Sequence, residues 1–183
     1  ATAGPLGQGL SNAVGMAVAE EHLAALFNKP GFDIVDHHMY VMCSDGDLME
    51  GVTSEAASLA GFLGLGKLIV VYDDNGISIE GETHALAFNE DVGKRFEAYG
   101  WQVLKVDDVN DLDAMQQAIE AGKAEGDRPT LIWSKSLIGE GSPEAGTARV
   151  HGEPFNDESM VKVKEHYGWP KDETFHIPDA PLA

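Results

Sequence analysis

The chain has 183 residues, 43% of them hydrophobic, and sets 12 Lys+Arg against 31 Asp+Glu for a formal charge of −19. That length suits one domain with a sizeable core, and a charge so negative disfavours nonspecific nucleic-acid binding, because backbone phosphates would be repelled. The apolar stretches are strand-length, no signal-peptide pattern opens the chain, and a single cysteine excludes an internal disulfide and suits a reducing, cytoplasmic setting.

The sequence opens inside a Gly-rich run, residues 4–15, so a fragment or processed chain is expected. Residues 11–27 carry Val14, Ala17, Val18, Leu23 and Leu26 at helical spacing, and residues 28–36, with Pro30 and Gly31, read as a loop. A strand is predicted over 39–43, a helix over 52–63 and a second strand over 67–72, whose Leu68-Ile69-Val70-Val71 is typical of a central parallel strand. Residues 81–89 read as an exposed loop. A short helix (90–99), a strand (102–106), a helix (112–124) and a strand after Pro129 (130–134) follow. Residues 139–152 form a long Gly/Ser/Pro-rich loop, 157–167 a last helix from an Asn-Asp cap, and 171–183 an extended tail. The alternation predicts an α/β fold with a doubly wound, mostly parallel sheet.

Asp45 and Asn75 stand thirty residues apart, each close behind a predicted strand, with one helical segment between. A βαβ unit sets such strand ends side by side, where open α/β sheets hold ligands. Both side chains are hard oxygen donors suited to Mg²⁺ or Ca²⁺, and the Gly after Asp45 lets backbone N–H approach an anion. The pattern points to a phosphate ligand held through a divalent cation; a plain Asp helix cap and an Asn turn are the alternatives. Asp73 and Asp74, beside the motif, read as solvated carboxylates, with a supporting role behind the metal as the alternative. Cys43 reads as a small core residue, and adjacent His37 and His38 as having no role. No Cys/His spacing suggests zinc and no Gly-x-Ser-x-Gly suggests a hydrolase.

Ser44-Asp45-Gly46 followed by Asp73-Asp74-Asn75-Gly76-Ile77-Ser78-Ile79 resembles the thiamine-diphosphate motif of transketolases. The Gly4-Pro5-Leu6-Gly7-Gln8-Gly9 run, Met49-Glu50-Gly51, Arg95-Phe96-Glu97-Ala98-Tyr99-Gly100-Trp101 and Gly139-x-Gly141-Ser142-Pro143 with His151-Gly152 fall in that family's order. Ser44 departs from the Gly usual there in the wider cofactor family but leaves the Asp-Gly pair intact. The resemblance covers roughly residues 3–170, and implies a diphosphate-binding domain over 1–170 before the tail.

The resemblance implies Mg²⁺, or Ca²⁺ in its place, on Asp45, Asn75 and the main-chain carbonyl of Ile77. It places Gly4, Pro5, Leu6, Gly46, Asn75, Ile79 and His151 against thiamine diphosphate. It also gives His151 acid–base work, and Glu50 and Glu55 a carboxylate network across a subunit interface; a favourable helix dipole alone accounts equally for acidic residues at those helix positions. The implied activity moves a two-carbon ketol unit from a ketose phosphate to an aldose phosphate. Sugar phosphates would be the substrates, and a homodimer or a partner chain with the pyrimidine-binding domain would complete the enzyme. The alternatives are a fragment or split subunit that docks but is inactive alone, and related enzymes such as dihydroxyacetone synthase or deoxyxylulose-phosphate synthase.

Overall fold

A computed structural model describes residues 2–178, so the end of the expected tail, including Pro181, lies outside the described residues. The chain divides into two compact units, residues 1–76 with 83–136, and residues 77–82 with 137–183.

The first unit is built on a four-stranded, all-parallel sheet in the order β1-β2-β6-β5, from β1 (Met39–Ser44), β2 (Leu68–Asp74), β5 (Gln102–Val106) and β6 (Thr130–Lys135). Its helices are α1 (Gln8–Phe27), α2 (Asp45–Met49), α3 (Gly51–Leu63), α4 (Thr83–Leu86), α5 (Val92–Ala98) and α6 (Leu112–Ala124). On one face, Val41, Val70 and Leu131 bury against Leu10 and Val14 of α1, Ala57 and Ala60 of α3 and Phe96 of α5. On the other, Ile69, Ile132 and Val106 meet Ala118, Met115 and Ile119 of α6. Alternate residues of β2 therefore serve different cores, which is why its sequence is apolar throughout. This is the expected doubly wound α/β architecture.

Helices begin where the capping chemistry allows. The Asp91 and Asp111 side chains accept the N–H of Lys94 and Ala114 at 3.0 Å, opening α5 and α6. The tightest seam is at Gly61 of α3, where an added Cβ would fall 1.8 Å from the Tyr99 carbonyl oxygen. Trp101 closes the same seam, with Nε1–H donating to the Ala57 carbonyl at 2.8 Å and its ring edge-on to Phe96.

The second unit contains the hairpin of β3 (Ile77–Ser78) and β4 (Gly81–Glu82), and helices α7 (Arg149–Gly152) and α8 (Asp157–His166). Asn156 caps α8 by accepting the Ser159 N–H at 2.8 Å, as its Asn-Asp start suggested. Two expected loops are more ordered than their composition implied. Residues 81–89 contain β4 and α4, and α7 ends the Gly-rich 139–152 run. No helix among the described residues is long and apolar enough to cross a membrane.

Candidate functional site

β1 and β2 run parallel with Cys43 opposite Tyr72 and Ser44 opposite Asp73, so the chain leaves both strands at the same edge. Asp45 begins α2 directly after β1, and Asn75 directly follows β2. Asp45 is only 2% exposed. Its Oδ1 accepts the Tyr72 hydroxyl at 2.5 Å and its Oδ2 accepts the Gly76 N–H at 3.0 Å. Burial pushes the Asp45 carboxyl above the usual carboxylate range and the charges of Asp74 and Asp73 push the same way, against the two hydrogen bonds. Burial and the same carboxylate push the Tyr72 phenol far up, so it stays a protonated donor.

The aspartates expected to be solvated are not. Asp73 accepts Asn75 Nδ2 at 3.1 Å and also the Ser136 hydroxyl. Asp74 accepts Trp133 Nε1–H at 2.7 Å and pairs with Lys135 at 3.1 Å. Asn75 is local, but Ser136, Trp133 and Lys135 arrive on β6 and just beyond it, some sixty residues later, because β6 inserts beside β2. Asp45, Tyr72, Asp74, Gly76, Trp133 and Lys135 line part of a cavity of about 480 Å³ in the first unit.

Three supports hold the Asp45 turn, and none was assigned that role from sequence. Asp47 accepts the Gly7 N–H at 2.9 Å through Oδ1 and the Ser44 N–H at 3.1 Å through Oδ2. The Thr53 hydroxyl donates to the Asp47 carbonyl at 2.6 Å. Arg95 sends both terminal N–H groups to the Leu48 carbonyl at 3.1 Å, near the C-terminus of α2, and also pairs with Glu90. The sequence signal for Arg95 was the motif running to Trp101, whose structural work is to brace α2 and α3.

Gly7 takes a left-handed φ of 75° at the start of α1, and a Cβ there would strike Glu50 and Thr53 at 2.8 Å. This puts the turn carrying Gly4, Pro5 and Leu6 against the Asp45 loop. An added Cβ on Gly46 would lie 3.2 Å from Leu6 Cδ1, so Leu6 and Gly46 are neighbours, while Gly4 and Pro5 are exposed. Glu50 is the N-cap of α3 and Glu55 lies within it; both are exposed in this chain.

In the second unit, Ile77 is buried in the hairpin and Ile79 stands at its tip, 73% exposed. His151 lies on α7 and is exposed, its N–H bonded to the Ala148 carbonyl at 3.1 Å. Gly139, Gly141 and Gly146 all have positive φ, and a Cβ on Gly139 would strike Val150 at 2.8 Å, which explains the glycine-rich approach to α7.

The donor chemistry in the first unit fits a divalent cation. Asp45 and Asn75 are hard oxygen donors, and among the described residues the charges acting most strongly on Asp45 are carboxylates rather than a lysine or arginine. A buried carboxylate in that position is electrostatically incomplete.

Residues 1–182 match the family model described as transketolase, thiamine diphosphate binding domain. A transketolase of Streptococcus pyogenes serotype M6 is 57% identical over 178 residues, covering 97% of this chain and 24% of that protein. One from Geobacillus stearothermophilus is 54% identical over 180 residues, covering 98% and 27%. The solved transketolase from Leishmania mexicana superposes with a TM-score of 0.95 at 46% identity, covering 97% of this chain and 27% of that one. The chain thus spans about a quarter of the length of the relatives it matches. With a family match running through nearly every residue and relatives above half identity, the chain belongs to the transketolase thiamine diphosphate binding domain family.

Proposed function

We propose that this chain holds the diphosphate and metal end of thiamine diphosphate in a transketolase, which moves a two-carbon ketol unit between sugar phosphates. The reading is carried by Asp45, a buried carboxylate at the ends of two adjacent parallel strands whose charge, among the described residues, is in no ion pair with a lysine or arginine. Asp45 and Asn75 are the side-chain ligands of Mg²⁺, and the Gly46 N–H donates to a diphosphate oxygen. Leu6, beside Gly46, offers apolar surface to the cofactor rings, with the Gly4-Pro5 backbone shaping its approach.

When bound, the cofactor supplies the carbon nucleophile that a ketose carbonyl needs for cleavage beside it. The chain's own part is to neutralise the diphosphate, fix its orientation and move protons. With a net charge of −19, the cation is what makes a second negative group tolerable here. The roles of Ile77 as a carbonyl ligand, of Ile79 against the cofactor and of His151 in proton transfer at a sugar hydroxyl rest on their motifs. Glu50 and Glu55, exposed on this chain, are the groups offered to a subunit interface, with a second copy or a pyrimidine-binding partner completing the enzyme.

The test is calorimetric titration of thiamine diphosphate into the chain, first with Mg²⁺ and then with EDTA, alone and with a pyrimidine-binding partner domain. Binding that requires Mg²⁺ is the expected result. Equal binding in EDTA, or none under any of these conditions, overturns the reading.

A further inference from the structure

We infer that Tyr72 is a positioning residue for the metal-binding carboxylate, setting the orientation in which Asp45 meets the cation; this rests on the proposed metal site. Tyr72 occupies β2, 2% exposed, opposite Cys43 on the core face. Its ring is packed in the main core, 6.3 Å from Trp133 between centroids, so the hydroxyl has a fixed origin. From there it donates to Asp45 Oδ1 at 2.5 Å, while the Gly76 N–H reaches Oδ2 at 3.0 Å.

An ionised carboxylate has about four lone-pair positions. Two are taken by donors on separate oxygens, both fixed to the end of β2, and the carboxylate plane can no longer turn about χ2. The remaining positions stay for a hard cation. A hydroxyl donor suits this better than a lysine or arginine would, because it orients the carboxylate without cancelling the charge the metal needs. β2 thereby contributes to both halves of the cation site: Asn75 follows its end, and Tyr72 within it sets the other ligand.

The test is Tyr72→Phe in the full chain, which keeps the ring in its core position. Mn²⁺ is titrated in the presence of thiamine diphosphate and free Mn²⁺ is followed by its paramagnetic resonance signal, while thermal melts of the metal-free protein report folding. Outer-shell losses at metal sites run to roughly 10–100-fold, and a weakening of Mn²⁺ binding in that range is expected. The same substitution placed on Asp45→Asn should bring no comparable additional loss, since Tyr72 acts through Asp45. A Tyr72→Phe protein that melts lower yet binds Mn²⁺ like wild type makes Tyr72 a core residue only and overturns the inference. Wild-type protein that takes up no Mn²⁺ with the cofactor present, either alone or with the pyrimidine-binding partner domain, overturns the metal site itself, and the inference with it.

Discussion

Asp47 accepts the Gly7 N–H at 2.9 Å across forty residues of sequence, and with its other oxygen takes the Ser44 N–H at 3.1 Å. One carboxylate therefore ties the start of α1 to the turn that presents Asp45. Hydrogen bonds to a charged acceptor contribute about 1.5–3 kcal/mol each, and leaving two backbone donors unmet costs on that scale. Asp47→Ala should lower stability by about 2–4 kcal/mol in urea melts, and weaken thiamine diphosphate through the displaced Leu6 turn. Asp47→Asn, which retains one acceptor, should fall between. A stability change below about 0.5 kcal/mol for the alanine variant would mean that water replaces the clamp at no cost.

Asp45→Ala should abolish Mg²⁺-dependent cofactor binding in the assembled enzyme. Burial disfavours the charge on Asp45, so removing that charge should not weaken the metal-free fold in the same way. Asp45→Asn should melt at or above the wild-type temperature without metal, yet gain nothing when Mg²⁺ and cofactor are added, whereas wild type gains by linkage. Unchanged cofactor affinity in Asp45→Ala would sink the metal assignment.

The strands and longer helices were legible because their signals are local. β2 is a β-branched run, and α6 falls where its helical spacing put it, behind the Asp111 cap. That Asp45 and Asn75 follow neighbouring parallel strands was legible too, since a βαβ unit constrains where consecutive strands end. Asp73 and Asp74 were misread because neighbouring sequence contains only polar residues and a turn. Their partners Ser136, Trp133 and Lys135 reach them only because β6 inserts between β2 and β5, a strand order that no local pattern encodes. Asp47 was hidden for a similar reason. In Asp45-Gly46-Asp47 it looks like one more loop carboxylate, and its function depends on a backbone N–H forty residues earlier.

His151→Ala should slow turnover of the assembled enzyme more than it weakens Mg²⁺ binding. The side chain is exposed on α7, in the second unit, and Asp45 and Asn75, the proposed Mg²⁺ side-chain donors, are in the first. General acid–base groups contribute about 10²–10⁴-fold, so the loss should appear mainly in kcat, with Mg²⁺ dependence measured in parallel. Equal and modest losses in both would reduce His151 to a structural residue of the loop.

Cys43 should be inert. It is 5% exposed, and burial, with Asp47, Asp45 and Asp73 nearby, drives its thiol far above the usual range. Native protein should resist alkylation at pH 8.5 for hours and label fully in denaturant. Rapid labelling of the native chain would contradict the buried position.

Lys67 and Glu20 carry the sharpest stability prediction. Glu20 on α1 is 1% exposed, and its Oε1 accepts Lys67 Nζ at 2.7 Å while Oε2 has no partner among the described residues. Lys67 also pairs with exposed Asp36 at 2.9 Å. Desolvation pulls the Lys67 ammonium down, but its bonds and attraction to Glu20 and Asp36 prevail and hold it above 10.5. The folded pKa exceeds the unfolded one, so this stabilisation is fully present below pH 10.5 and disappears as pH rises through the folded value. Lys67→Met leaves the Glu20 carboxylate buried without a cation, at a cost of about 3–5 kcal/mol near neutral pH. Adding Glu20→Leu removes the stranded charge and should recover most of that loss. Urea melts at pH 7 and above pH 11 decide the matter: the single variant should differ strongly from wild type at pH 7 and less in strong alkali. A Lys67→Met penalty below about 1 kcal/mol at pH 7 would show that the pair is worth no more than a surface bridge.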